Sequence, residues 1–96
     1  MNDKELYREK FQAQLDEWKA DIAKLKARAS VAKADAQLAM REQVGALERG
    51  LADGQAKLSE LSGASEDAWD SVKKGAESVW DSLRSGVREF TSKFKD

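Results

Sequence analysis

Residues 7–29 read YREKFQAQLDEWKADIAKLKARA, with one apolar side chain at each helical turn. The same phase continues to residue 61 with a mean step of about 3.6 residues, the repeat of an α-helix. These positions fall within an arc of about 100°, the width of one core-facing face. We call them the first stripe: Tyr7, Phe11, Leu15, Trp18, Ile22, Leu25, Ala29, Ala32, Ala36, Met40, Gln43, Leu47, Leu51, Gly54, Leu58 and Leu61.

The segment 62–65, Ser-Gly-Ala-Ser, is the best candidate for a helix end. Gly63 can adopt the conformation that ends a helix, and the Ser65 hydroxyl can cap the next one. A second helix is predicted over about residues 66–95. It contains an 11-residue repeat, in which residues 68–78 resemble residues 79–89. Eleven residues make three helical turns, so such a helix keeps one apolar face without strong supercoiling.

These signals predict an all-α fold in one domain over residues 1–96. The favoured architecture is a long antiparallel helical hairpin, or coiled coil, with a long helix over about residues 3–61 and a shorter helix over about residues 66–95. The alternative is a break near Ala29 and Ser30, which gives a three-helix bundle. The hairpin ranks first because residues 26–33 contain no Gly or Pro. Single glycines at 45, 50 and 54 leave a further bend possible.

In that hairpin, the second helix covers only the distal half of the first. The N-terminal half would then expose an apolar, aromatic-rich stripe, which is typical of an interaction surface. A second copy related by two-fold symmetry is the simplest partner, so we expect a homo-oligomer, either a dimer or a higher assembly. The residues predicted for self-association are Tyr7, Phe11, Leu15, Trp18, Ile22 and Leu25.

The second helix carries a large apolar face of its own. We interpret this face mainly as the hairpin seam, the surface that packs against the first helix. The alternative is that it contacts a lipid or granule surface, as amphipathic helices with Trp and Phe do. The polar face balances its charges, so attraction to anionic lipid would be small and membrane contact is not favoured. The residues assigned to either role are Trp69, Val72, Trp80, Leu83, Val87, Phe90 and Phe94.

The composition argues against most kinds of catalytic and metal-binding site. The chain has no Cys and no His, which removes the usual nucleophile, general base and zinc ligands. The acidic and basic residues nearly balance and form no basic face, so we expect no nucleic-acid partner. We therefore predict no enzyme activity, no catalytic residue, no cofactor, no metal and no small-molecule substrate. The N-terminal segment lacks a signal peptide's apolar core, which favours a cytoplasmic location.

The two ends of the chain resemble a family of small bacterial coiled-coil stress-response proteins. The similar residues are 1–10, MNDKELYREK, with 13–18, AQLDEW, then 68–70, AWD, 79–81, VWD, and 92–95, SKFK. The 11-residue repeat is also similar, in period and composition, to those of apolipoproteins and some desiccation proteins. The family resemblance implies a coiled coil without enzyme activity, so it provides no catalytic residue.

The function expected from these observations is that of a non-enzymatic, self-associating coiled-coil protein with a structural or protective role in the bacterial stress response. The alternative is a peripheral protein that binds a lipid or granule surface through the amphipathic helix 66–95.

Overall fold

The computed structural model describes residues 2–94, and they form three α-helices. These are α1 (Asp3–Val31), α2 (Ala34–Gly63) and α3 (Glu66–Lys93). The helices run antiparallel to their neighbours in sequence and make a bundle that measures 50 × 21 × 18 Å. The all-helical prediction is confirmed, as is the start of the last helix at residue 66. The predicted end of that helix, Lys95, lies outside the described residues.

Side chains cap the starts of α1 and α3, and the Ser65 cap is the one predicted from the sequence. The Asn2 side chain accepts a hydrogen bond of 2.8 Å from the Glu5 backbone N–H at the start of α1. The Ser65 hydroxyl accepts one of 3.3 Å from the Ala68 backbone N–H at the start of α3. Both bonds satisfy N–H groups that have no partner within their own helix.

The prediction of one continuous helix over residues 3–61 is wrong, and the three-helix alternative holds. The chain leaves the helix at Ala32 and Lys33, three residues beyond the break considered from the sequence. Both residues have extended ψ angles, 157° and 150°. The turn folds α1 back along α2, which lets the chain bury the N-terminal half of its own first stripe. Burial of several large side chains outweighs the few backbone hydrogen bonds that a straight helix would add.

α2 remains helical through Gly45, Gly50 and Gly54, so none of these glycines ends the helix. Two of these glycines permit close packing. A Cβ at Gly54 would lie 2.6 Å from Leu15 Cδ2 of α1, and one at Gly50 would lie 2.9 Å from Leu83 Cδ2 of α3. These separations are shorter than ordinary carbon–carbon contact, so the neighbouring leucines occupy the space that a side chain would fill.

The α2–α3 seam contains a reciprocal pair of leucines and glycines. Leu83 packs over Gly50, and Leu47 packs over Gly86, whose Cβ would lie 2.6 Å from Leu47 Cδ2. Each helix supplies a leucine followed three residues later by a glycine. Because the helices are antiparallel, each leucine meets the glycine of the other helix. This arrangement fixes the register of the seam.

The α1–α3 seam is wider and aromatic. Its two backbones make far fewer close approaches than either makes with α2. The Trp80 ring bridges the gap, with its centroid 5.6 Å from that of Phe11 and 5.2 Å from that of Trp18. Closer to the chain start, the Tyr7 and Trp69 ring centroids are 6.0 Å apart, nearly edge to face. Large rings therefore separate α1 from α3, while glycines let α2 approach both.

We expect Gly54→Val to lower the free energy of unfolding by about 1–3 kcal/mol, because the new side chain overlaps buried Leu15. The matched control is Gly45→Val, since a Cβ there makes only an ordinary contact of 3.5 Å with Arg49. That control should change stability by less than about 0.5 kcal/mol. Urea unfolding followed by circular dichroism measures both. Equal effects of the two variants would contradict the assigned packing.

Candidate functional site

The inner face of α3 is apolar along the length of the helix. Trp69, Ala76, Leu83 and Phe90 are buried along its length. Half-buried side chains lie between these residues and, at the cap that follows α3, beyond them: Val72, Val79, Trp80, Val87 and Phe94. All seven residues predicted for the seam or an apolar surface lie on this face. We call these nine residues the α3 face.

The α3 face packs into the groove between α1 and α2, so the predicted pairing with a single helix is incomplete. Trp69 and Trp80 place their rings against aromatic residues of α1. Leu83 packs against α2 at Gly50. The two ends of the face, Trp69 and Phe94, are 25 residues apart, or about 37 Å at 1.5 Å per residue.

The six residues predicted for self-association lie inside the same bundle. Phe11 and Leu15 are completely buried, and Trp18, Ile22 and Leu25 are at most 7% exposed. Tyr7 is half-buried and packs against this core. The prediction that these side chains are left uncovered by the chain is wrong, because the turn at residues 32–33 packs α1 against α2 and α3.

Polar contacts between the helices are confined to the surface. Lys4 pairs with Glu66 at 3.5 Å, and Lys26 pairs with Glu48 at 3.7 Å; all four side chains are at least one third exposed. The Arg28 guanidinium donates to the backbone carbonyl of Phe94. Among residues 2–94, no polar or charged residue is buried. Exposed ion pairs contribute little, so apolar packing holds the bundle together.

A cavity of about 270 Å³ opens on the α1–α3 seam. Its apolar lining consists of Tyr7, Phe11 and Trp80, and Glu77 stands at its polar edge. Burial raises the pKa of the Tyr7 phenol, and the negative charge of Glu77 raises it further. Lys73 Nζ lies 5.0 Å from the centre of the Tyr7 ring. The seam therefore favours the neutral phenol, which suits a packing role.

A second, more open groove of about 430 Å³ lies between α2 and α3. Gly50 and Gly86 are part of its lining, which also includes the charged side chains of Glu42, Glu89 and Lys93. Its form follows from the close approach of two helices at glycines.

Two other kinds of site are absent from residues 2–94. No three acidic side chains converge there to hold a metal ion. None of the three helices combines the length and apolar character needed to cross a membrane.

The chain matches no protein-family model, no curated protein and no solved structure. The resemblance to coiled-coil stress-response proteins therefore stays a prediction.

Two features of the site were not predicted from the sequence. One is the leucine–glycine pairing of α2 and α3, although its signal was present as Leu47 with Gly50 and Leu83 with Gly86. The other is a pair of exposed apolar side chains beside the turn at residues 32–33, which we call the first turn: Val31 is 86% exposed and Leu38 is 67% exposed. Both lie off the first stripe, and the sequence alone did not indicate a turn between them.

The single tyrosine of the chain makes its environment measurable by absorbance titration. We expect Tyr7 to titrate above the ordinary value of about pH 10, and Glu77→Gln to bring its pKa closer to that value. Because the unfolded chain ionises first, the stability that this phenol contributes should be lost as the pH rises above about 10. Tyr7→Phe should lack this part of the alkaline loss. A Tyr7 pKa at or below 10 would contradict the described seam.

Proposed function

We propose that this chain is a non-enzymatic protein of the cytoplasm with a structural or protective role under stress, and that it acts by binding an apolar lipid surface through the α3 face. The resemblance at the two ends of the chain supports the protective role. The proposed binding to lipid rests on the amphipathic character of α3.

The observation that carries this proposal is the division of α3 into two faces over 28 residues. The α3 face is entirely apolar, and residues of the opposite face, such as Asp70, Lys74 and Arg88, are exposed. Helices of this kind lie in the plane of a membrane interface, with Trp and Phe at the boundary between headgroups and acyl chains. Both charge signs occur on the polar face, so the binding should depend mainly on apolar burial.

In the three-helix bundle described above, which we call the closed bundle, α1 covers part of the α3 face. α1 approaches α3 less closely than α2 does. Aromatic rings and the exposed Lys4–Glu66 pair connect the two helices over much of their length. Release of α1 would expose Trp69 and Trp80, and the polar contacts that it breaks include the part-buried hydrogen bond from Arg28 to the Phe94 carbonyl. A lipid surface can replace the lost apolar contacts, because the driving force for burial is not directional.

Co-flotation with neutral phosphatidylcholine vesicles tests this mode of action. We expect the wild-type protein to float with the vesicles, and 20% anionic lipid to change the bound fraction by less than about twofold. Gly54→Val should bind at lower lipid concentration, because it weakens the packing of α1 against α2 and leaves the sequence of α3 unchanged. Gly45→Val is the matched control and should bind like the wild type.

Two results would contradict the proposal. One is the absence of flotation for both the wild type and Gly54→Val, with the lower stability of that variant established by urea unfolding. The other is equal binding by Gly54→Val and Gly45→Val, which would show that release of α1 does not control access to the α3 face.

A further inference from the structure

The first turn differs from a helix at only two backbone angles. Ala32 has φ −71° and Lys33 has φ −61°, both already close to the helical value. Only their ψ angles, 157° and 150°, are extended. Rotation of these two angles would join α1 and α2 into one helix over residues 3–63.

The two turns of the bundle have equal length but different end signals. At the second turn the Ser65 side chain caps the following helix, whereas Gly63 remains helical and does not adopt the positive φ expected for a helix-ending glycine. At the first turn, Lys33 makes no side-chain capping bond to α2. Ala32, Lys33 and Ala34 are all good helix formers. The first turn therefore lacks the side-chain cap that the second one has.

The first stripe also keeps its phase through this turn, at Ala29, Ala32, Ala36 and Met40. A straightened chain would present α1 on the same face as α2, but about one bundle length away from its own α3. The groove between α2 and α3, which α1 fills in the closed bundle, would then be empty. The side chains that fit this groove best are those of an α1 helix.

We propose that two copies of this chain exchange their α1 helices by straightening at Ala32 and Lys33. In this dimer, α1 of each copy packs into the α2–α3 groove of the other. Every core contact that α1 makes in the bundle is made again between the copies, including Leu15 on Gly54 and Phe11 on Trp80, while the α2–α3 contacts stay within each copy. Exchange of an identical element is a low-cost route to a dimer, since only the hinge changes. This inference is independent of lipid binding.

The exchanged dimer has a distinct shape. Its two long helices run antiparallel, and each half repeats the three-helix bundle. Two bundles of 50 Å placed end to end give a particle about 100 Å long. A dimer formed by side-by-side contact of closed bundles would be far shorter.

The experiment is refolding from urea at high and low protein concentration, followed by size-exclusion chromatography with light scattering and small-angle X-ray scattering. Refolding is used because exchange requires α1 to leave its groove. We expect the wild type to give monomer at low concentration and a growing dimer fraction, about 100 Å long, at high concentration.

Ala34→Pro is the decisive variant. Residue 34 is the first residue of α2, where Pro fits, and the preceding Lys33 already has the extended ψ that Pro requires. The closed monomer therefore tolerates Pro, whereas a continuous helix does not. We expect Ala34→Pro to reduce the dimer fraction at least tenfold.

Two further variants complete the set. Glu66→Pro places the same residue at the first position of α3 and leaves the hinge free, so it should dimerise like the wild type. The Gln37 side-chain amide donates a bond of 3.2 Å to the Ser30 carbonyl across the first turn. Gln37→Ala removes that bond and should increase the dimer fraction.

Three results would overturn the inference. The first is a wild type that stays monomeric at millimolar concentration after refolding. The second is an Ala34→Pro dimer fraction equal to that of the wild type. The third is a wild-type dimer whose longest dimension stays near that of one bundle.

Discussion

Burial of the N-terminal half of the first stripe between the chain's own α2 and α3 is the interaction on which the structure depends. The N-terminal half of that stripe supplies Phe11, Leu15 and Trp18, and the turn at residues 32–33 directs all three into the core. Without that turn, the longest apolar face of the chain would be left in water. Its position also fixes the division of the bundle into glycine-lined seams on α2 and an aromatic seam between α1 and α3.

The features that local chemistry determines could be predicted from the sequence. The 3.6-residue period assigned both apolar faces, and the side chain of Ser65 marked the start of the last helix correctly. The first turn could not be predicted in this way. Residues 31–34 have no Gly, Pro or capping side chain, and the stripe crosses them without a change of phase. The turn exists because of contacts more than 40 residues apart in sequence, such as Phe11 with Trp80.

For the candidate site too, the sequence predicted local features but not contacts between distant residues. Periodicity identified the inner face of α3, because which side chains share a helix face is a local property. The partner of each side chain is not local: Trp69 and Trp80 contact α1, although a two-helix hairpin assigned them to the long helix's distal half. Gly54 permits the approach of α1, a role that became visible only when Leu15 was placed beside it. Both proposals therefore depend on α1 being the helix that leaves its groove.

The most direct test of the central claim is a nuclear Overhauser measurement between the ring protons of Phe11 and Trp80, made at a concentration where light scattering shows a monomer. The account predicts a strong cross-peak, because the ring centroids are 5.6 Å apart within one chain. A mixture of labelled and unlabelled chains separates contacts within one copy from contacts between copies. Absence of the intramolecular cross-peak in the monomer, with helicity intact, would contradict the account.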